Sequence, residues 1–240
     1  MVVELTFKAL VVCLMLVGFL VACGSDKATP PADGLEGIDA GWAMAAAVDE
    51  LLALESASFT LEHLKGTTVL VPGVLMTKAF GEVEIPDRFR VTVEAESEFP
   101  KSYIQISIIT IKDTAYMTSI ISGEWIEVSA DSLPFNLSDL GQTLADVVTA
   151  VQQPRALRKE RVNGVDTVHV QGQMASNDLS ALVLGAGDGF TVVVDFWLDE
   201  TGLLRQVHIN GRVIPTDDVD TVRQLILDDI NQPVSINPPK

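Results

Sequence analysis

Residues 190–198 read FTVVVDFWL, with Phe190, Val192, Val194, Phe196 and Leu198 on one alternation and Thr191 and Asp195 on the other. A period of two over this length marks a β-strand with one face turned to a core and the other turned away. The turn sequence Asp199-Glu200-Thr201-Gly202 follows, and a second strand is expected over 203–214. Strands joined this closely run antiparallel, so the stretch sets the type of sheet.

Upstream, Asn163-Gly164 suits the positive φ angles of a tight hairpin and joins strands expected over 157–162 and 165–173. Further segments rich in Val, Ile, Thr and Phe precede them at 59–70, 75–85, 89–98, 103–111, 115–121 and 124–128. Connections as short as Pro86-Asp87 and Lys112-Asp113 leave no room for crossover helices. Near the C-terminus, 219–230 fits a helix or a strand equally well by periodicity.

Helical spacing occurs in three places. Met44, Val48, Leu51 and Leu52 form one apolar stripe over 42–55. Leu137, Leu140, Leu144, Val147, Val148 and Val151 form another over 139–153, with Ser138 as N-cap and Pro154 marking its end. A short helix is expected over 176–184.

At the N-terminus an uncharged run from Ala9 to Ala22 follows Lys8 and ends in Leu20-Val21-Ala22-Cys23. The run is well short of the roughly 20 residues a spanning helix needs, and it has the length of a signal-peptide apolar region. Small residues before a cysteine form a lipobox. Residues 1–22 are therefore expected to be removed and Cys23 to carry a lipid that holds the exported domain on the outer face of the cell membrane. Residues 23–40 are poor in apolar side chains and read as the lipidated cysteine and a flexible spacer. Residues 41–240 remain for one folded domain, long enough to bury a substantial core. With Cys13 and Cys23 assigned to the leader and the anchor, that domain has no disulfide.

The formal charge of −17 argues against nucleic acid as a partner, since basic residues cluster nowhere beyond Arg155 to Arg161. Signatures of catalysis are missing as well. His63, His169 and His208 fall in expected strands without a Cys, His or carboxylate at metal-ligand spacing, and read as ordinary strand histidines. Gly185-Ala186-Gly187-Asp188-Gly189 lacks the spacing of a dinucleotide loop and precedes a strand instead of following one. The pairs Asp217-Asp218 and Asp228-Asp229 lack the register of a calcium loop and read as solvated turns. Asn136-Leu137-Ser138 fits the glycosylation acceptor pattern, which chance supplies often. No cofactor or metal is expected, and the chain is not read as an enzyme.

What stands out is the supply of apolar surface. Ile104, Ile106, Ile108, Ile109 and Ile111 put isoleucine on both faces of one strand. A curved sheet meeting amphipathic helices either interdigitates fully with them or leaves an apolar cavity, and composition does not choose between these.

A family resemblance does. Lys112-Asp113-Thr114-Ala115-Tyr116, Gly123-Glu124-Trp125, residues 162–172 (VNGVDTVHVQG), residues 197–204 (WLDETGLL) and the tail 232–239 (QPVSINPP) occur in this order behind the lipobox. Together they resemble the LppX/LprG-type (LppX_LprAFG) lipoproteins of mycobacteria, which are related in shape to the LolA and LolB carriers. The resemblance implies an α+β fold: a curved antiparallel half-barrel with helices covering its concave face around an apolar cavity. It also makes 219–230 a strand. The implied ligands are acylated lipids or glycolipids, bound and transferred without catalytic residues. The expected lining is Leu140, Leu144, Val147, Val148 and Val151 from the helix, with Ile104, Ile106, Ile108, Tyr116, Val192, Val194 and Phe196 from the strands. The alternatives are a structural or interaction lipoprotein with a filled core, and a secreted hydrolase.

Overall fold

In the computed structural model, which describes residues 38–240 apart from 121, 134–139, 184 and the side chain of 132, the hairpin that begins at Thr191 lies well inside a large sheet. The strands are β1 Ser56–Lys65, β2 Thr68–Val71, β3 Val74–Glu84, β4 Arg88–Ser97, β5 Ser102–Ile111, β6 Thr114–Thr118, β7 Trp125–Ser129, β8 Gln152–Val162, β9 Val165–Ala175, β10 Thr191–Asp199, β11 Leu204–Asn210 and β12 Val222–Asp228. Their order across the sheet is β7-β6-β5-β4-β3-β1-β12-β11-β10-β9-β8, with β2 paired to β3, and the ladders are antiparallel. The pairing of β1 with β12 joins the first strand to the last.

Two helices, α1 Ala40–Leu52 and α2 Leu140–Thr149, pack on each other and on one face of this sheet. Asp39 caps α1, its carboxylate accepting from the backbone N–H of Gly41 (2.8 Å) and of Trp42 (3.3 Å). The helices approach closely because Gly141 has no side chain: a Cβ there would lie 2.6 Å from the carbonyl oxygen of Leu51. Gly202, in the β10–β11 turn, lets that turn press on α1 at Ala46 in the same way. α1 reaches the sheet mainly at β8 and β11.

The hairpin turns follow the sequence reading. Asn163 and Gly164 adopt φ of 49° and 84°. Asp199 organises the β10–β11 turn, its carboxylate accepting from the N–H of Thr201 (3.0 Å) and of Leu203 (3.1 Å) and from the Arg205 guanidinium (2.8 Å). Burial alone would raise the Asp199 carboxyl, and the bonds from Thr201 and Arg205 hold it below its usual value instead.

Several boundaries differ from expectation for physical reasons. The segment 59–70 is two strands, β1 and β2, broken at Gly66, whose φ is +77°. The strand expected over 203–214 ends at Asn210, and the strand expected over 219–230 occupies Val222–Asp228. The helix expected over 139–153 ends at Thr149, and Pro154 lies in β8. β8 is a sheet edge, where a residue without N–H is tolerated, and its ladder with β9 is irregular between Gln152 and Arg155. The helix expected over 176–184 is a 3-10 turn, Ser176–Leu179, followed by further turns. In α1 the buried face is Ala43, Met44, Ala47 and Leu51, with Leu52 exposed. Leu137 and Ser138 lie outside the described residues, as do Asn136 and Cys23. The described residues all belong to one compact unit.

Candidate functional site

Strand pleating divides every side chain of the sheet between two faces, and pairing register carries that division from strand to strand. Starting from Val194, register leads through Ile209 and Val207 on β11, Leu225 on β12, Leu61 and Phe59 on β1, Ala79 and Gly81 on β3, and Val91 and Val93 on β4. It continues to Ile106 and Ile108 on β5, Met117 on β6 and Ile126 on β7. This is the face on which the helices pack, and these rows are apolar from β10 to β7.

Burial is uneven along it. Under the helices the face is filled: Val192 and Val194 are 0% exposed and Phe196 is 1% exposed. Leu140, Leu144, Val147 and Val148 of α2 are buried in the same core, and Val151 lies against it. Elsewhere the cover is uneven, and Phe89, Val91, Ile108 and Ala115 of the same face are buried. Phe59, Leu61, Val93, Ile104, Ile106 and Met117 are half-buried, and Ile126 is exposed.

Two glycines set the curvature. A Cβ on Gly81 would meet the carbonyl oxygen of Arg90 at 1.9 Å, so β3 and β4 cross here more tightly than any side chain permits. On β9, a Cβ on Gly172 would lie 2.3 Å from Val151 Cγ1, where the chain leaves α2 and turns into β8. Both positions belong to the concave face, and both let the sheet curl toward its helices.

Of the residues expected to line a cavity, Ile104, Ile106, Ile108, Val192, Val194 and Phe196 share the concave face, and the helical five stand over it. Tyr116 does not join them. It pairs with Ile109 and Glu127 on the outer face, while Ala115 and Met117 point inward. Sequence reading missed Phe59, Leu61, Val93 and Leu225, although the alternation of Phe89, Val91, Val93 and Ala95 against Arg88, Arg90, Thr92 and Glu94 was available.

The outer face is chemically opposite. Around Asp195, which is buried, Gln171 Nε2 donates to Oδ1 (2.8 Å), Asn210 Nδ2 donates to Oδ2 (2.7 Å), and His169 Nε2 stands 2.7 Å from Oδ1. His169 stacks on Trp197 (centroids 4.4 Å), whose Nε1 donates to Glu160 Oε1 (2.6 Å). Burial alone would raise the Glu160 carboxyl, but hydrogen bonds from Arg158 and Trp197 hold it low. His208 bonds Gln224 (2.9 Å). An open groove of about 400 Å³ on this side is lined by Ser58, Thr60, Glu82, Arg90 and Asp228 together with Phe80.

Neither polar cluster assembles a nucleophile. The one hydroxyl bonded to a histidine among the described residues is Thr68, 2.9 Å from His63 Nε2, and its oxygen already accepts from Arg223 Nε (3.1 Å) and Nη2 (2.8 Å). With both lone pairs engaged, it has none to attack with. Among the described residues no cluster of His, Cys, Asp and Glu is arranged to hold a metal.

Comparison with known families matches residues 39–236 to the LppX_LprAFG lipoproteins. The chain belongs to the LppX_LprAFG lipoprotein family. Among solved structures, LprF from Mycobacterium bovis aligns at a TM-score of 0.65 with 15% identity, over 83% of this chain and 96% of that one. LppX from Mycobacterium tuberculosis aligns at 0.56 with 15% identity, over 83% of this chain and 100% of that one. At such identity these LppX_LprAFG structures establish the fold, a curved antiparallel sheet with helices on one face. No match was found among curated protein sequences. No helix among the described residues is long and apolar enough to cross a membrane.

Proposed function

We propose that this is an exported lipoprotein, tethered by a lipid on Cys23, that binds acylated lipids or glycolipids on its concave face and transfers them. The observation that supports this reading most is the continuity of apolar side chains from β12 to β7, past the part of the sheet that the helices fill. Phe59, Leu61, Val93, Ile106 and Met117 pack against the core yet stay only half-buried, which leaves apolar surface on this face for a further apolar partner.

Acyl chains laid on this face would gain about 0.8 kcal/mol for each CH₂ removed from water. The residues we assign to chain contact are Ile104, Ile106 and Ile108 with Phe59, Leu61, Val93 and Met117, roofed by Leu140, Leu144, Val147, Val148 and Val151. Val192, Val194 and Phe196 form the closed end. No cofactor enters this activity.

A filled-core interaction protein is the competing reading, favoured by the complete burial of Val192, Val194 and Phe196. Native mass spectrometry of residues 24–240, purified without detergent and exposed to membrane extract, separates the two. The lipid carrier gains mass equal to one or more lipids. A chain that stays at its own mass is the interaction protein.

A further inference from the structure

At one end of the concave face the apolar rows stop at a buried polar cluster. The Leu61–Leu225 row is followed by His63 paired with Arg223, and Arg223 pairs in turn with Ile209 of the core. Arg223 is 1% exposed. Its Nη2 donates to Asp217 Oδ1 (2.7 Å), a carboxylate that is itself fully buried and accepts from the N–H groups of Val213 (2.9 Å) and Ile214 (3.0 Å).

The hydrogen bonds of this cluster do not close. Thr68 Oγ1 accepts twice from Arg223, so its single proton goes to His63 Nε2, and the ring proton of a neutral imidazole must then sit on Nδ1. Burial, with the nearby Arg223 charge, lowers the His63 pKa to about 4, partly countered by Asp217, so the ring is neutral at physiological pH. His63 Nδ1, Arg223 Nη1 and Thr221 Oγ1 are all buried and have no partner among the described residues. A buried donor left without an acceptor costs about 1–3 kcal/mol, and more when it is charged. His63 and Arg223 pair across β1 and β12 and share Thr68, and Thr221 stands two residues before Arg223 on the same alternation, so three orphaned groups lie at one end of the face and call for an oxygen-bearing occupant.

Charge selects its chemistry. Arg223 and Asp217 neutralise each other at 2.7 Å, and His63 is uncharged. An anion added here would leave a net buried charge, whereas a neutral carbonyl oxygen would satisfy the donors without one. We propose that Arg223, His63 and Thr221 form an internal subsite for the ester carbonyl of a bound neutral acyl lipid, with its chains running along the Leu61–Leu225 and Phe59–Leu227 rows.

This subsite rests on the lipid-binding reading, and the test separates the two. Residues 24–240, which contain the whole compact unit, are offered dipalmitoylglycerol and its dihexadecyl ether in competition, with palmitate in a separate sample, and uptake is counted by native mass spectrometry. The ether keeps the chains and loses the carbonyls. The wild type is expected to take the ester about tenfold over the ether. In His63→Phe and in Thr221→Val, each checked to be folded by circular dichroism and by a cooperative urea transition, the ratio of ester to ether uptake should fall severalfold. Equal uptake of ester and ether by the wild type overturns the subsite and leaves lipid binding intact. A preference that persists in both variants overturns its location, and palmitate taken in preference to the ester overturns its neutral character. If none of the three lipids is taken up, the lipid-binding reading falls together with the subsite.

Discussion

The ring of Phe59 on β1 stacks on that of Phe89 on β4, with centroids 5.6 Å apart and planes within 8°, although β3 lies between the two strands. Gly81 of β3 is the partner of Phe59 in one ladder and of Val91 in the next. The missing side chain lets the sheet bend until residues two strands apart touch. Curvature of the concave face is thus built by a glycine and closed by an aromatic pair.

Gly81→Ala is expected to be severely destabilising, because its Cβ would lie 1.9 Å from the Arg90 carbonyl, a backbone atom that cannot swing aside. The loss should reach about 1–3 kcal/mol or more, as overpacking does elsewhere. The urea midpoint measures it. A midpoint within error of the wild type would show that the sheet holds its curl without this close crossing.

Tryptophan substitution distinguishes the filled half of the face from the open half. Val194→Trp, at a fully buried position beneath the helices, should cost about 1–3 kcal/mol or more. Ile106→Trp, at a half-buried position, should lower the midpoint little and reduce lipid uptake strongly. Equal destabilisation by the two, with no lipid bound by the wild type, would favour a filled core throughout.

Much of this architecture could be read from the sequence, because the strands are bounded by short turns and carry their own period. The alternation in FTVVVDFWL was correct for Val192, Val194, Phe196 and Leu198, all of them buried. It placed Asp195 on the opposite face, where the structure has it, but gave no sign that this carboxylate is buried among Gln171, His169 and Asn210 from the two neighbouring strands. Such burial depends on register between segments distant in sequence, and no local pattern carries it. Tyr116 was misplaced for a related reason: β6 is five residues long with apolar side chains on both faces, so its phase was undetermined until β5 and β7 were paired to it. The Arg223–Asp217 pair was hidden by a strand whose period was ambiguous and by acidic residues that resemble any solvated turn.

His63 links stability to pH. Its ordinary value is 6.5 and its folded value about 4, so the unfolded chain binds more protons between these limits. The sign follows: this contribution is complete above about pH 6.5 and is lost as the pH falls toward 4. Denaturation midpoints measured across that range should decline on acidification, and the decline should be shallower in His63→Phe. A parallel decline in the two proteins would assign it to other groups.

Cys23→Ser tests the proposed anchor. The thiol is the acceptor for the diacylglyceryl group, so the variant should incorporate no fatty-acid analogue during metabolic labelling and should keep residues 1–22. Labelling that persists in Cys23→Ser would place the lipid elsewhere.

Photo-crosslinking with a lipid that carries a diazirine near the end of an acyl chain tests the central claim most directly. Residues 24–240 are loaded with this probe, irradiated and digested, and the labelled residues are located by mass spectrometry. Labels are predicted on the concave face, at Ile104, Ile106, Val93, Met117 and Phe59 and on the α2 stripe from Leu140 to Val151. Labels confined to outer-face residues such as Tyr116, Phe80 and Thr92, or none at all on a folded and saturated protein, would contradict a lipid-binding concave face.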